Sequence, residues 1–347
     1  MHRMPRPLSG LFAAIATTGA MTGAMTAAVP ALAQEANVPL FAPHDWQIWH
    51  QAPGSDLMAN IEWFSAYTLW GMAVPVSLFV LALIAWVVFR YRRSANPVPD
   101  RVTHNTLVEI IWTVVPVIIL VAIAIPSFQL LSEYERPAEK PTLTVKAIGY
   151  QWYWGYEYQD GAEGNELAFE QRPIGLEVLA NDFNRDGAFN AEDIVAERAS
   201  YGKEDLVEYP DKLVVDNEMV VPVGATVRML VTAADVIHDW AMPAVGAKMD
   251  AIPGRLNEFT FTPKREGLYY GQCSELCGRL HAYMPIGMRV VSAEQYAEWR
   301  RLAQTDIAAA SKYIAEAQKA QAIARAEARE GKKLAAAAST GAAKPVN

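Results

Sequence analysis

The chain has 347 residues, two cysteines and a formal net charge of −8. This length accommodates one sizeable domain together with membrane segments. The acidic balance argues against nucleic acid as a partner, because proteins that bind nucleic acid present basic surfaces. A hydrophobic share of 52% is concentrated in an apolar N-terminus and two long apolar runs.

Residues 1–33 are predicted to form a secretory signal peptide that is cleaved. Arg3 and Arg6 supply the positive start, and Ala31-Leu32-Ala33 fits the small-residue rule for cleavage before Gln34. An uncleaved anchor helix is the alternative. The stretch is rich in Thr and Gly, which makes it a poor membrane span.

A periplasmic segment, residues 34–62, precedes two apolar runs that are predicted to be transmembrane helices over residues 63–90 and 107–132. A helix of about 20 apolar residues crosses a hydrocarbon core of about 30 Å, and both runs are long enough. A helical hairpin buried in a soluble core is the alternative, which the length of the runs disfavours.

The connection between the runs, residues 91–106, is predicted to be cytoplasmic. The loop and the residue before it contain four arginines and a single acid, Asp100. Loops rich in Lys and Arg stay on the cytoplasmic side of the membrane. The chain after about Ser132 is then periplasmic, which agrees with a cleaved signal peptide. The arginines are Arg90, Arg92, Arg93 and Arg101.

Short alternating runs dominate residues 133–292 and predict an all-β periplasmic domain with an acidic insertion at residues 160–210. Several short strands separated by turn residues are typical of a sandwich or a Greek-key barrel. A helix and a tail, predicted to be disordered, follow over residues 293–347. The predicted strands include Thr142–Ile148, Lys212–Val215, Thr226–Thr232, Asn257–Phe261, Gly267–Tyr270 and Ile286–Val291.

Four side chains with affinity for copper lie within a dozen residues: Cys273, Cys277, His281 and Met284. Thiolate, imidazole and thioether are the donors that copper sites use. The periplasmic domain contains one further histidine, His238, which follows a predicted strand. One metal site therefore accounts for every Cys and His of this domain.

Two other uses of the cysteines are open. The periplasm is oxidising, so Cys273 and Cys277 could form a disulfide. Such a bridge would close a very short loop and leave His238, His281 and Met284 without a role. Zinc is the second alternative, because two Cys and two His form a usual structural zinc site.

The segment from Gly271 to Gly278, together with His281 and Met284, resembles the CuA motif of cytochrome c oxidase subunit II. The resemblance extends from about Trp63 to Trp299 and implies a cupredoxin-like domain behind a two-helix hairpin. It implies a dinuclear copper centre with Cys273 and Cys277 as bridging ligands, His238 and His281 as terminal ligands, and the Met284 side chain and the Glu275 carbonyl as weak ligands.

An aromatic run from Tyr150 to Tyr158 alternates like one face of a strand. Core packing and a membrane-interface belt are the simple interpretations. The resemblance implies that Trp152 is the surface indole that receives electrons from cytochrome c. Family members often carry His at the position of Tyr150.

Residues 157–218 contain 17 acids and 5 bases. Ordinary solvation explains many charged loops, but complementary fields also raise the rate at which a basic partner associates. The resemblance identifies Glu157, Asp216 and Asp235 as docking acids for cytochrome c.

The resemblance implies roles toward the partner subunits for three further sets of residues. The carboxylate of Glu275 would bind Mg²⁺ at the border with subunit I, which suits a cation that takes few protein carboxylates. Asp250 and Arg255 would form salt bridges at that border, with a surface ion pair as the alternative. Glu109 would lie at the mouth of a proton path, although a carboxylate is also favoured by a helix N-terminus.

Residues Asp182–Asp193 resemble a calcium loop of the EF-hand type. Acidic or amide side chains occupy loop positions 1, 3, 5, 9 and 12, and Gly187 occupies position 6. Asp193 is shorter than the usual terminal Glu, and an acidic turn is the alternative.

The expected function is subunit II of a cytochrome c oxidase in the bacterial inner membrane, with subunits I and III as partners. The chain would pass electrons from cytochrome c to haem in subunit I, where oxygen is reduced and protons are translocated. A copper-delivery protein, a quinol-oxidase subunit II and a nitrous oxide reductase are the alternatives. The hairpin, the intact copper ligands and the chain length respectively disfavour them.

Overall fold

The computed structural model describes residues 41–44, 46–98, 101–136, 140–159, 166–175, 191–206, 208–321 and 323–324. The predicted signal peptide lies outside the described residues, as does most of the calcium-type loop. The described chain divides into two units. One contains Asn60–Leu130, and the other contains the described residues of Val38–Ala59 and those from Leu131 onward.

Two long helices make up most of the first unit: α1, Asp56–Arg90, and α2, Thr106–Glu135, whose residues before Asn60 and after Leu130 belong to the second unit. At about 1.5 Å per residue, each exceeds the length needed to cross a membrane. Helix α1 includes a π-helical segment at Phe64–Leu69, and prolines lie inside both helices. No residue in their most apolar stretches is buried, as expected for helices that face lipid rather than a soluble core.

The second unit is a sandwich of two five-stranded sheets with the orders β3-β2-β1-β5-β8 and β4-β10-β9-β6-β7. Strand β1 pairs in parallel with β5, and β10 pairs in parallel with β4, so the chain crosses between sheets as in a Greek key. The predicted α+β class, a two-helix hairpin followed by a cupredoxin-like β-domain, is confirmed. The strands are Leu143–Tyr150, Tyr153–Tyr158, Leu167–Gln171, Met219–Pro222, Val227–Ala233, His238–Met242, Ala247–Ala251, Asn257–Phe261, Gly267–Cys273 and Pro285–Val291.

The core lies between the sheets and is built by alternation along the strands. Residues of β1 alternate between buried and half-buried, which is the period-two pattern of a strand with one face inward. Val145 and Trp154 of the first sheet share one apolar cluster with Trp240 and Met288 of the second.

Two predictions about the strands were wrong. Lys212–Val215 does not form a strand, because Lys212 adopts a φ of +68°, which interrupts an extended run. Val215 makes only an isolated bridge to Pro173. The aromatic run does not form one strand face either, because the chain turns at Gln151 and Trp152. Trp154, Tyr156 and Tyr158 are core side chains of β2.

The acidic insertion packs against the second sheet through buried charges. It contributes helix α3, Ala191–Ser200, and a lysine, Lys203, whose Nζ lies 2.7 Å from Glu218 Oε1. Arg289 of β10 contacts the same oxygen at 3.2 Å. Each of these three buried charges therefore has a partner of opposite sign, which offsets the cost of removing it from water.

Two C-terminal helices follow strand β10, of which the first packs against β4 and the second contacts β10. Helix α4, Ala293–Ala303, begins with a capping box between Ser292 and Gln295. Helix α5 spans residues 307–321. Gln318 of α5 accepts a hydrogen bond from Arg289 at 2.9 Å and donates to the Val290 carbonyl at 2.7 Å.

Candidate metal centre

Five of the six predicted ligands lie in the loop between β9 and β10 or at the residue directly before it, Cys273. Cys273 ends β9, and its backbone N–H donates to the carbonyl of Met284, which directly precedes β10. This 3.0 Å bond closes the base of the loop, so Cys277 and His281 lie on a segment whose two ends are fixed in one sheet. Gly278 has a φ of +121°, a conformation that favours glycine.

His238 reaches the loop from strand β6. Trp240 of β6 pairs with Cys273 of β9, and this register brings His238 beside the cysteine. The distance between His238 Nδ1 and Cys273 Sγ is 3.9 Å. The imidazole is fully buried, so no bulk water competes for its nitrogens.

The two thiols lie next to each other, and each faces a different imidazole. Cys273 Sγ and Cys277 Sγ are 3.8 Å apart, and Cys277 Sγ lies 3.7 Å from His281 Nδ1. Both cysteines are free thiols. The structure therefore brings together all four predicted strong ligands as two thiol–imidazole pairs.

Of the two predicted weak ligands, the Glu275 carbonyl contacts a thiol, and Met284 lies in the apolar core that also contains the cysteines. The Glu275 carbonyl oxygen lies 3.3 Å from Cys273 Sγ, while the Glu275 side chain is exposed. Met284 is fully buried in the apolar cluster that contains both cysteines. The backbone of Glu275 thus faces the thiols and its carboxylate faces outward.

The donor set fits a bound metal. Burial, and then the neighbouring Cys273, raise the pKa of the Cys277 thiol to about 12, so a pair of thiolates here needs compensating positive charge. A metal–thiolate bond of about 2.3 Å is longer than half the sulfur separation, so one ion can bind both sulfurs. Thiolate, imidazole and thioether together suit copper.

Asp235 contacts the second ring nitrogen of the buried His238. Asp235 Oδ1 lies 2.8 Å from His238 Nε2, which leaves Nδ1 directed at Cys273. Ligand histidines commonly use their other nitrogen in this way. The Asp235 side chain is 32% exposed, so it is only partly available to a docked protein.

Trp152 lies beside the loop, in the turn between β1 and β2. Its indole Nε1 donates to the Cys277 carbonyl over 3.3 Å, and its side chain is half-buried. Trp154, two residues later, packs edge-on against the His238 ring with centroids 6.0 Å apart. Trp152 thus links the surface to the loop between β9 and β10, and Trp154 packs against His238 from the core.

Comparisons with known proteins identify the family. The family model for the periplasmic domain of cytochrome c oxidase subunit II matches residues 143–291, and the model for its transmembrane domain matches residues 43–130. The cytochrome c oxidase subunit 2 of Cereibacter sphaeroides is 42% identical over 270 residues, which cover 78% of this chain and 84% of that protein. The chain belongs to the cytochrome c oxidase subunit II family.

A further relative and a solved structure are also similar to this chain. A probable cytochrome c oxidase subunit 2 of Rickettsia felis is 42% identical over 257 residues, which cover 74% of this chain and 72% of that protein. A crystal structure of the periplasmic domain of subunit II of cytochrome oxidase from Bradyrhizobium japonicum is 40% identical, covers 49% of this chain and 99% of its own, and has a TM-score of 0.38. As a subunit II, the chain is a membrane protein with a periplasmic C-terminal domain.

The acids predicted to dock cytochrome c occupy different environments in this subunit II. Glu157 on β2 is 42% exposed and pairs with Lys146 at 3.0 Å. Asp216 is buried, and its Oδ1 accepts from the backbone N–H groups of Arg172 and Asn217 at 2.7 and 2.6 Å. Burial raises the pKa of Asp216 to about 6. This position corrects the prediction for Asp216, because a buried carboxylate does not present its charge to a docked protein.

The residues predicted at the subunit I border lie at the surface. Asp250 on β7 and Arg255 in the turn after it are both exposed. Glu109 is in the first turn of α2, where its Oε1 accepts from the Asn105 backbone N–H at 3.3 Å. The carboxylate therefore caps a helix N-terminus, as one interpretation of the sequence expected.

The predicted calcium loop is described only at its end. Residues 182–190 lie outside the described part of the chain. Asp193, at loop position 12, is buried in the first turn of α3.

Sequence reasoning missed two residues that shape the site. The Gln151 side chain donates to the Cys277 carbonyl at 2.8 Å, alongside Trp152. Gly149 lies against His238, where a Cβ atom would be 2.7 Å from Cδ2 of the imidazole. Gly149 directly follows the predicted strand Thr142–Ile148 and lies inside the observed β1, and a glycine inside a strand often marks a close approach.

Proposed function

We propose that this chain is the subunit of its oxidase that receives electrons. It accepts electrons from cytochrome c at a dinuclear CuA centre and passes them to haem in subunit I, where oxygen is reduced to water and protons are translocated. Family membership supports the complex, and the two thiol–imidazole pairs support the centre.

The proposed ligands follow from the positions of the donor atoms. Cys273 and Cys277 would bridge the two copper ions, and His238 and His281 would each bind one of them. Met284 and the Glu275 carbonyl would act as weak ligands. Copper ions that share two thiolates supply a redox couple in which one charge is spread over both metals, so little geometry changes with oxidation state.

Trp152 is the proposed point of electron input. Its indole is partly exposed on one side and hydrogen-bonded to the carbonyl of a proposed copper ligand on the other. Glu157, together with the acidic segment around it, would attract the basic surface of cytochrome c. Asp235 would add its charge to that field from a partly exposed position.

The other predicted roles extend the proposal to the complex. Mg²⁺ would bind the exposed Glu275 carboxylate at the border with subunit I, and Asp250 and Arg255 would form ion pairs there. Glu109 would lie at a proton path into subunit I. The subunit would be cleaved after residue 33, reside in the inner membrane with its loop 91–106 in the cytoplasm, and also contact subunit III.

A further cofactor is proposed from the sequence alone. Ca²⁺ would bind Asp182–Asp193, whose side chains follow the spacing of an EF-hand loop. The buried Asp193 at the start of α3 is compatible with the terminal position of such a loop.

Rapid mixing of reduced cytochrome c with the copper-loaded full-length chain in detergent tests electron input. We expect cytochrome c to be oxidised in a single step, and Trp152→Phe to slow that step while copper content stays unchanged. Trp46→Phe is the control, because Trp46 is 96% exposed in the N-terminal segment. Equal rates in Trp152→Phe and wild type would contradict the role of Trp152.

A further inference from the structure

Asp235 contacts both a proposed copper ligand and the turn that carries Trp152. We propose that Asp235 is a positioning residue that holds the His238 imidazole and this turn in one fixed arrangement. The inference rests on the proposed copper site and deepens it. It gives Asp235 a role that its charge alone, acting on a docked partner, would not require.

The first contact selects the nitrogen of His238 that is available for a metal. A carboxylate oxygen 2.8 Å from Nε2 accepts a hydrogen bond from an N–H at that position. The neutral ring then keeps its proton on Nε2 and its lone pair on Nδ1, which faces Cys273. The imidazole is fully buried, so water cannot replace the carboxylate as acceptor. Asp235 therefore sets both the tautomer and the orientation of the ring.

The second contact fixes the turn. Asp235 Oδ2 accepts from the Gln151 backbone N–H at 2.7 Å, and the Gln151 side chain donates to the Cys277 carbonyl at 2.8 Å. Trp152 donates to the same carbonyl. A chain of hydrogen bonds thus runs from His238 through Asp235 and Gln151 to Cys277, and it joins the two thiol–imidazole pairs from outside the loop.

The carboxylate itself is held in place. The backbone N–H of Val236 donates to Asp235 Oδ1 at 2.6 Å. The backbone N–H of Ala234 donates to the Gly149 carbonyl at 3.0 Å, which ties the start of this segment to β1. With both oxygens engaged, a displacement of the carboxylate by one methylene group breaks at least one of its contacts.

Asp235→Glu separates positioning from docking, because it keeps the charge and moves the carboxylate. A docking acid would tolerate this change, whereas a positioning residue would not. Asp235→Ala removes both contacts. Glu157→Gln is the matched control, since it removes an exposed acid of β2 that pairs with Lys146 at 3.0 Å rather than with the loop between β9 and β10.

The experiment titrates copper(II) into the full-length chain in detergent and records copper affinity and the nitrogen hyperfine couplings by electron paramagnetic resonance. We expect Asp235→Glu and Asp235→Ala to bind copper about 10–100-fold more weakly, as loss of such contacts to ligand histidines does elsewhere, and to show changed histidine couplings. Glu157→Gln should match wild type in both measurements. Wild-type affinity and couplings in Asp235→Glu would overturn the inference.

A measurement on the metal-free chain keeps the inference separate from the proposed function. ¹⁵N chemical shifts of the labelled histidines should report His238 protonated at Nε2 in wild type and a mixture of tautomers in Asp235→Ala. Wild-type His238 protonated at Nδ1 would overturn the inference. If wild type binds a single metal ion while the tautomer is as expected, the proposed dinuclear function fails and the positioning role of Asp235 stands.

Discussion

Gly149→Ala tests whether strand β1 supports the metal centre as the structure describes. An added Cβ would lie 2.7 Å from Cδ2, 2.9 Å from Cγ and 3.0 Å from Cβ of His238. Carbon atoms in contact are separated by about 3.5–4.0 Å, so either the ring or the strand must move by about 1 Å. His238 cannot yield freely, because Asp235 holds its Nε2 and Trp154 packs against its ring.

The expected effect has two parts. Overpacking a well-filled core destabilises by about 1–3 kcal/mol, so thermal unfolding of the metal-free full-length chain should begin at lower temperature. Displacement of the His238 ring should weaken copper binding about tenfold. This is the lower end of the loss of metal affinity seen when a residue that orients a ligand is mutated. Circular dichroism measures the first effect, and a copper titration followed by absorbance measures the second.

Gly71→Ala is the matched control for this substitution. Among the described residues, no atom beyond the chain neighbours and the backbone of the same helix lies within 4 Å of a Cβ added at Gly71. Alanine is also the better helix former, so unfolding and copper binding should stay at wild-type values. Gly149→Ala with wild-type copper affinity and an unchanged copper spectrum would refute the described packing of His238 against β1.

Three further predictions concern the acidic side of the domain. Burial raises the pKa of Asp216 from a usual 3.8 to about 6 in the folded chain. The stability that Asp216 contributes is therefore fully present below pH 4 and is lost as the pH rises through 6, because the buried carboxyl must then ionise. Asp216→Asn keeps the Oδ1 acceptor but removes the charge. The change that it causes in the free energy of unfolding should therefore be more favourable at pH 8 than at pH 4, by about 2–3 kcal/mol, as measured by denaturant unfolding. Glu157→Gln should slow association with cytochrome c about two- to fivefold at low salt and leave it unchanged at high salt, as measured by stopped flow; equal slowing at both would contradict a screened charge contact. Calorimetric titration of the full-length chain with Ca²⁺ should show binding that Asp182→Asn weakens, and no heat of binding would dismiss the calcium loop.

The elements that could be predicted from sequence are those fixed by local pattern. The apolar runs predicted two helices because lipid selects continuous hydrophobicity. Asn257–Phe261 has the same bounds as predicted, because its alternation is uninterrupted. The predicted strand Lys212–Val215 was wrong because its apolar residues are buried without pairing continuously with another strand. Alternation alone also does not reveal that Lys212 has a left-handed backbone conformation.

The residues that meet at the candidate site could be predicted because the chemistry of copper restricts the residue types, and few Cys and His occur in this domain. The contacts that hold these residues in place could not be predicted. Asp235 was identified only as a charge, whereas its role depends on a strand pairing that places it beside Gln151, far away in sequence. Asp216 has the composition of a surface acid and is buried because the insertion folds back on the sheet.

Metal content together with the electron paramagnetic resonance spectrum of the copper-loaded full-length chain tests the central proposal most directly. The proposal predicts two copper ions per chain and a hyperfine pattern from one unpaired electron shared by two copper nuclei. A single copper with hyperfine structure from one nucleus, or one zinc ion per chain, would contradict it.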